Sequence, residues 1–262
     1  MITSIAIGAF DGVHLAHKVL IDSVDAVAII ERNSGVLTPG YIRTRYIDKP
    51  SCFYHFDKIR ELSAEAFLSR LKEDFPGLAK IVVGYDFHFG KDKKGDVKLL
   101  EKLFDGEVIV VDPIKSDGIA VHSRVIKDLI KNSEIKKANI LLGRSYQICG
   151  DVIRGQGIGG KELVPTLNID PKEYLLPKDG IYATNTKLGD IWYKSVSFIG
   201  HRVSTDGKFA VETHIIDNDI HNVNDSIEIS FEDFIRENRK FDDFGELKRQ
   251  IEDDILKAKE II

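Results

Sequence analysis

The feature that constrains this chain most is a change of hydrophobic period near Leu141. Before it, apolar runs of strand length alternate with longer segments whose apolar residues recur every three or four positions. After it come short runs with frequent turn residues between them. The first pattern builds a parallel sheet with crossover helices, and the second a small antiparallel barrel. The expected class is therefore α/β plus β. Residues 1–138 are read as a Rossmann-like α/β domain around a parallel sheet, and residues 139–262 as a small antiparallel β-barrel with a terminal helix.

In the first part, strands are expected over residues 2–7, 26–30, 80–83 and 107–111. Helices are expected over 18–24, 57–75, 97–103 and up to Lys131, with a short joining helix over 133–138. Residues 36–57 read as loop and short strand. Ser63 begins a shifted capping box, which can split the 57–75 segment in two. In the second part, strands are expected over 146–153, 182–188, 191–199, 210–216 and 227–231. Residues 244–261 form an amphipathic helix whose stripe, Leu247, Ile251, Ile255 and Ala258, packs on the barrel.

Composition narrows the class of function. The chain has 262 residues, 43% hydrophobic and 30% charged, which is a soluble globular balance. No apolar run is long enough to span a bilayer, and the N-terminus lacks the basic region of a signal peptide. A net charge of −5 argues against nucleic acid as a main partner. Cys52 and Cys149 stand far apart without metal-ligand spacing and read as reduced thiols. The expectation is a cytoplasmic protein, monomeric or weakly oligomeric, that binds neither membrane nor nucleic acid.

Three stretches carry chemistry. In residues 155–169, Gly155, Gly157, Gly159 and Gly160 can let a backbone nest close on an anion. Pro165-Thr166-Leu167-Asn168 follows, with a hydroxyl and an amide oxygen that suit Mg²⁺. This is not a Walker loop, because Lys161 is followed by Glu162. The plainer reading is a flexible loop leading into a strand. Near the N-terminus, Gly8-Ala9-Phe10-Asp11-Gly12-Val13-His14 leads from strand to helix. His14 and His17 share a face at the helix start, where they can meet phosphates or simply cap the helix. In the third stretch, alternation puts Glu212, His214 and Ile216 on one face of a strand.

In order along the chain, these and other motifs resemble the prokaryotic bifunctional riboflavin kinase/FAD synthetases. The string Gly-x-Phe-Asp-Gly-Val-His-x-x-His resembles the nucleotidyltransferase signature, with Ala16 where the family carries glycine. Gly84-Tyr85-Asp86-Phe87-His88-Phe89-Gly90 resembles a second element, with His88 for arginine. His122-Ser123-Arg124-Val125-Ile126-Lys127 resembles a third, with Arg124 for threonine and Lys127 for arginine. The Phe-x-Pro-His-Pro element has no counterpart in residues 30–35. The glycine loop with its Pro-Thr-x-Asn turn, Gly180-Ile181-Tyr182-Ala183, and Val211-Glu212-Thr213-His214-Ile215-Ile216-Asp217 are similar to riboflavin kinase motifs. Ile199-Gly200-His201-Arg202 keeps part of another, and Leu141-Leu142-Gly143-Arg144-Ser145-Tyr146-Gln147-Ile148-Cys149-Gly150 resembles the first barrel strand of the riboflavin kinases.

The resemblance implies an enzyme that phosphorylates riboflavin to FMN with ATP and Mg²⁺, then adenylylates FMN to FAD. It implies Glu212 as the kinase base, Thr166 and Asn168 as metal ligands, and His14 and His17 as charge stabilisers in adenylyl transfer. It assigns Gly8, Phe10, Asp11, Ser123, Lys127 and the four loop glycines to ATP and its phosphates. Asp86, Phe87 and Arg236 are assigned to the flavin, with Arg236 on a covering loop. An aromatic loop capping the core is the alternative for Phe87 and Phe89. The departures leave two rivals open: a kinase with a degenerate N-terminal half, and a non-catalytic flavin-binding regulator.

Overall fold

A strand that is apolar at nearly every position must be covered on both faces, and β1 (Ser4–Gly8) shows the consequence. The computed structural model describes residues 1–32, 36–154, 163–204, 206–218, 220, 223 and 225–262. In it β1 is the centre of a five-stranded parallel sheet. The neighbours are β2 (Ala26–Glu31) and β3 (Ser51–His55) on one side, and β4 (Lys80–Gly84) and β5 (Glu107–Val111) on the other. Ile5 and Ile7 pack under α3 (Ala64–Asp74) and α4 (Val97–Leu103), against Phe67, Leu71 and Leu100. Ala6 faces the other way, toward Leu20 and Ile21 of α1 (Leu15–Asp22). Burial of each such large side chain contributes about 2 kcal/mol. This is the Rossmann-like arrangement expected. The strand order reverses between β1 and β4, the switch point at whose carboxyl end sheets of this kind bind ligands.

Local chemistry accounts for the differences from expectation. Helix α1 begins at Leu15, earlier than residue 18, because His14 caps it: the His14 Nδ1 accepts the His17 N–H at 3.3 Å. The segment 57–75 is indeed two helices, α2 (Phe56–Ile59) and α3, and the Ser63 hydroxyl caps the second by accepting from Ala66 N–H. A small hairpin, β6 (Lys115–Ser116) with β7 (Ile119–Ala120), follows β5.

The chain divides into two compact units, Met1–Val125 and Ile126–Ile262, and the division falls within α5 (Ser123–Lys131). The helix expected over 133–138 is α6 (Ile135–Leu142). It runs past 138, so Leu141 and Leu142 are buried helical residues and not the opening of a strand. Gly143, at φ 69, closes the helix. Asn139 ties it down, donating to the Phe231 carbonyl and accepting from Tyr146 N–H, both at 2.8 Å.

The second unit holds a closed six-stranded antiparallel barrel. Its strands are β8 (Tyr146–Ile153), β9 (Leu167–Asp170), β10 (Gly180–Leu188), β11 (Ile191–His201), β12 (Phe209–Ile215) and β13 (Ser226–Glu237). They close in the order β10-β11-β12-β9-β8-β13. Strand β9 is too short to show an alternating pattern in sequence. The terminal helix α7 (Phe244–Ile261) packs on β10, β11 and β13, with Ala258 against Ile181, Ala183 and Val196. Its stripe also contains Asp254, only 2% exposed, which pairs with Arg236.

Hydroxyls occupy part of the barrel interior. Thr184, Ser195, Thr186, Thr213 and Ser197 are all buried and form a closed ring of hydrogen bonds between 2.8 and 3.0 Å. Period-2 alternation on β10 and β11 puts Thr184 with Thr186, and Ser195 with Ser197, on the inner face. A hydroxyl donates once and accepts twice, so a cycle satisfies every donor without water. Thr186→Val should leave Ser195 and Thr213 short of a partner and cost roughly 1–3 kcal/mol. The urea midpoint of the barrel should fall with an unchanged slope. A wild-type midpoint would show that the ring contributes nothing.

Candidate active sites

In the first unit, the loop between β1 and α1 holds an unusual backbone. Phe10 (φ 50), Gly12 (φ 89) and Val13 (φ 39) all lie at positive φ. For a β-branched valine this is a strained state that neighbours must enforce. They do so through hydrogen bonds. Leu37 and Thr38 N–H donate to Asp11 Oδ1 at 3.0 and 3.1 Å, and Gly12 N–H donates to Thr38 Oγ1 at 2.8 Å. The Ser123 hydroxyl donates to the Asp11 carbonyl at 2.8 Å. Arg43 Nη1 donates to the Ala9 carbonyl at 2.9 Å and Nε to the Thr38 carbonyl at 3.1 Å. Glu31 lies 2.8 Å from the same Nη1.

Of the sequence-derived candidates, Gly8, Phe10, Asp11, His14, His17 and Ser123 lie in or against this loop. Gly8 ends β1, and Phe10 is buried edge-on to His17, with ring centroids 5.1 Å apart. The His14 and His17 rings stack at 3.6 Å. Because His14 Nδ1 is an acceptor, the neutral ring carries its proton on Nε2. Asp11 and Ser123 both support the loop. Lys127 lies one turn beyond Ser123 on α5. After β4, Asp86 is exposed, while Phe87 is buried and stacks on Phe89 within the core under α3. Phe87 thus has the surroundings of an aromatic that caps a core. The Tyr85 hydroxyl sits 3.0 Å from His122 Nε2. Neither that pair nor Arg43 stood out in the sequence. Arg43 lies in a stretch with no helical or strand period.

In the barrel, register builds the site. Glu212 on β12 stands directly opposite Asn168 on β9, and its other neighbour, on β11, is Phe198. The Thr166 hydroxyl hydrogen-bonds to the Glu212 carboxylate. His214 Nδ1 lies 2.8 Å from the Pro165 carbonyl and holds the Pro165–Asn168 turn to β12. Thr166, Asn168 and Glu212 are thereby brought together. The glycines Gly155, Gly157, Gly159 and Gly160 lie outside the described residues.

Arg202 completes this group, and the sequence reading assigned it no role. Its Nη1 donates to Glu212 Oε1 at 3.1 Å, while Nε and Nη2 grip both oxygens of Asp206 at 3.1 and 3.0 Å. Burial pushes the Glu212 carboxyl above its ordinary value, and the Arg202 charge and the Thr166 hydroxyl act against that push. Burial would raise Asp206 as well, but the Lys208 backbone N–H and Arg202 outweigh it and hold that carboxyl low.

Arg236 departs from expectation. It lies on strand β13 and not on a loop. Its guanidinium grips Asp254 of α7, with Nε 2.8 Å from Oδ1 and Nη2 2.7 Å from Oδ2. A buried carboxylate is tolerated only with such a partner, so the terminal helix takes up this cation. Among the described residues no group of three His, Cys, Asp or Glu could hold a metal. Thr166 and Asn168 offer hard neutral oxygens beside a carboxylate. That donor set fits Mg²⁺, which binds few protein oxygens and takes the rest from water and phosphate.

Two protein families match the chain: riboflavin kinase over residues 142–262 and FAD synthetase over residues 40–125. Among curated relatives, the Bifunctional riboflavin kinase/FMN adenylyltransferase of Buchnera aphidicola is 30% identical, covering 96% of this chain and 91% of the relative. The protein of the same name from Pseudomonas fluorescens is 27% identical, covering 97% and 91%. That from Escherichia coli K12 is 26% identical, covering 98% and 91%. Among solved structures, one described as a macrolide-efflux protein from Streptococcus pneumoniae superposes with a TM-score of 0.86 at 23% identity. It covers 98% of this chain and 93% of its own, a likeness of fold.

The Arg202–Glu212 contact gives a pH prediction. The folded-state pKa of Glu212 lies above its ordinary 4.5. The stability this contributes is fully present below 4.5 and is lost as pH rises through the folded value. Arg202→Met removes the charge that opposes burial, so the window should extend further to the alkaline side. Carboxyl-carbon NMR of Glu212 in metal-free buffer should show a higher titration midpoint in the variant. An unchanged midpoint would mean that Arg202 does not set the charge of Glu212.

Proposed function

Because the chain belongs to the bifunctional riboflavin kinase/FMN adenylyltransferase family, we propose that its barrel phosphorylates riboflavin from ATP and its parallel-sheet unit adenylylates the resulting FMN to FAD. The observation that carries the reading is the meeting of Glu212, Asn168 and Thr166 across β12 and β9. A non-catalytic flavin binder has no need of a partly buried carboxylate set beside hard oxygen donors.

In the kinase step Glu212 takes the proton from the terminal ribityl hydroxyl as that oxygen attacks the γ-phosphorus of ATP, and ADP leaves. Burial raises the proton affinity of Glu212, while the Arg202 guanidinium favours its ionised form and orients it. Thr166 and Asn168 would hold Mg²⁺, which when bound neutralises charge on the phosphates. The glycine loop, Gly155 to Gly160, is assigned to those phosphates from sequence alone. In the adenylyl step an FMN phosphate oxygen attacks the α-phosphorus of ATP and pyrophosphate leaves. His14 and His17, at the start of α1, stabilise the developing charge. Gly8, Phe10, Asp11, Ser123 and Lys127 line or support the ATP side, and Asp86 and Phe87 the flavin side. Residues 1–138 and 139–262 are proposed as the two functional halves. The reading also makes the protein a cytoplasmic monomer or weak oligomer. Its acidic net charge speaks against nucleic acid, and no described helix is long and apolar enough to cross a membrane.

Incubation with riboflavin, ATP and Mg²⁺ should yield FMN and then FAD on chromatography. Glu212→Gln should slow FMN formation by about 10²–10⁴-fold and leave FAD formation from FMN intact. His17→Ala should do the reverse. If wild-type protein makes FMN but no FAD under any nucleotide or metal condition, the kinase-only reading replaces this one.

A fragment starting at Ile126 keeps all of α6 and should retain FMN formation. One starting at Asn139 cuts α6 and removes the buried Ile135 and Ala138. It should fold less stably while keeping the same chemistry. An inactive Ile126 fragment, with the full chain active, would show that the barrel depends on the first unit.

A further inference from the structure

We propose that Arg43, anchored by Glu31, is a positioning residue for adenylyl transfer: it clamps the backbone of residues 9–13 and so fixes the place of His14 and His17. This rests on the assignment of adenylyl transfer to the parallel-sheet unit.

Arg43 is 1% exposed and is among the largest fully buried side chains of the described residues. A guanidinium is costly to bury, and a leucine or methionine would fill the same space without that cost. What the guanidinium adds is reach in fixed directions. Nη1 donates to the Ala9 carbonyl, just before the strained loop, and Nε donates to the Thr38 carbonyl. Thr38 in turn accepts the Gly12 N–H through its hydroxyl and donates its own N–H to Asp11. The loop and the segment carrying Thr38 are therefore bonded to each other at Asp11 and Gly12, and Arg43 closes the clamp at Ala9. Glu31, 6% exposed at the carboxyl end of β2, balances the charge and keeps the fork in place.

The loop needs such a clamp. Phe10 and Val13 lie at positive φ without being glycine, a state that persists only where several contacts enforce it. The next residue, His14, caps α1, and its ring stacks on that of His17. If residues 9–13 relax, both imidazoles move together. A shift of about 1 Å at a reacting group can cost about 10²-fold in rate.

The test uses the full chain, with Arg43→Met, Arg43→Lys and Glu31→Gln. Arg43→Met should lower kcat for FAD formation from FMN by about 10–100-fold while KM for FMN stays within about twofold. Wild-type chemical-shift dispersion for β1 to β5 amides reports that the parallel sheet stays folded, and FMN formation from riboflavin in the same sample reports an intact barrel. Arg43→Lys keeps the charge but not the fork, so it should recover only part of the loss. Hydrogen exchange by NMR gives a readout independent of activity: the amides of Gly12, Leu37 and Thr38 should lose protection in Arg43→Met. Wild-type kcat for FAD formation, or unchanged protection of those amides, overturns the proposal. If wild-type protein makes no FAD, the adenylyl-transfer reading fails, and amide exchange alone decides whether Arg43 holds the loop. If Arg43→Met unfolds the parallel sheet, Glu31→Gln, which keeps side-chain volume, carries the test by the same two readouts, FAD formation and amide protection.

Discussion

The register between β12 and its neighbours is the constraint on which the barrel's chemistry depends. Thr213 points inward and closes the ring of hydroxyls, while Glu212, one residue earlier, lies on the other face opposite Asn168. Side chains alternate along a strand, so a slip of one residue would exchange the two. The carboxylate would enter the ring and the threonine would face Asn168. The ring, buried and fully hydrogen-bonded, is satisfied in one register. A polar interior of this kind stabilises less than an apolar one, but it discriminates between registers more sharply. The barrel core and the candidate kinase site are thus two faces of one pairing.

The same economy of arginine recurs through the molecule. Arg43 with Glu31, Arg202 with Asp206 and Glu212, and Arg236 with Asp254 each join segments distant in sequence or hold a turn in shape. In each case the planar fork meets carboxylate or carbonyl oxygens in fixed directions, which a lysine would not reproduce. The results differ with location. Arg43 shapes a loop, Arg202 bears on the ionisation of a candidate base, and Arg236 fastens the terminal helix. Burial turns such pairs into rigid joints, because breaking one leaves a charge without water.

Much of the fold was legible in sequence. The parallel sheet followed from runs such as 80–83 alternating with helical segments, and the barrel from runs such as 210–216. The cap at Ser63 was visible as a local motif. Strand β9 escaped because four residues cannot display a period. Leu141 and Leu142 misled because two adjacent leucines suit a strand or a buried helix equally, and the Asn139 contacts that hold them helical come from Phe231 and Tyr146. At the candidate sites, Glu212, Thr166, Asn168, His14 and His17 could be singled out by residue type and motif. Arg202 and Arg43 could not, because what marks them is their partners.

By itself the sequence determined the class of each half, the positions of most elements and the residues able to do chemistry. Those properties arise from side chains within a few positions of one another. Only the tertiary structure decided that Asn168 faces Glu212, that Arg202 holds the carboxylate, that Arg236 is engaged by Asp254, and that Arg43 closes on Ala9. Each of these joins atoms on separate segments, and a hydrogen bond weakens steeply once distance or angle departs from its narrow range. Sheet register and helix docking set those distances, so the pairings belong to the folded molecule.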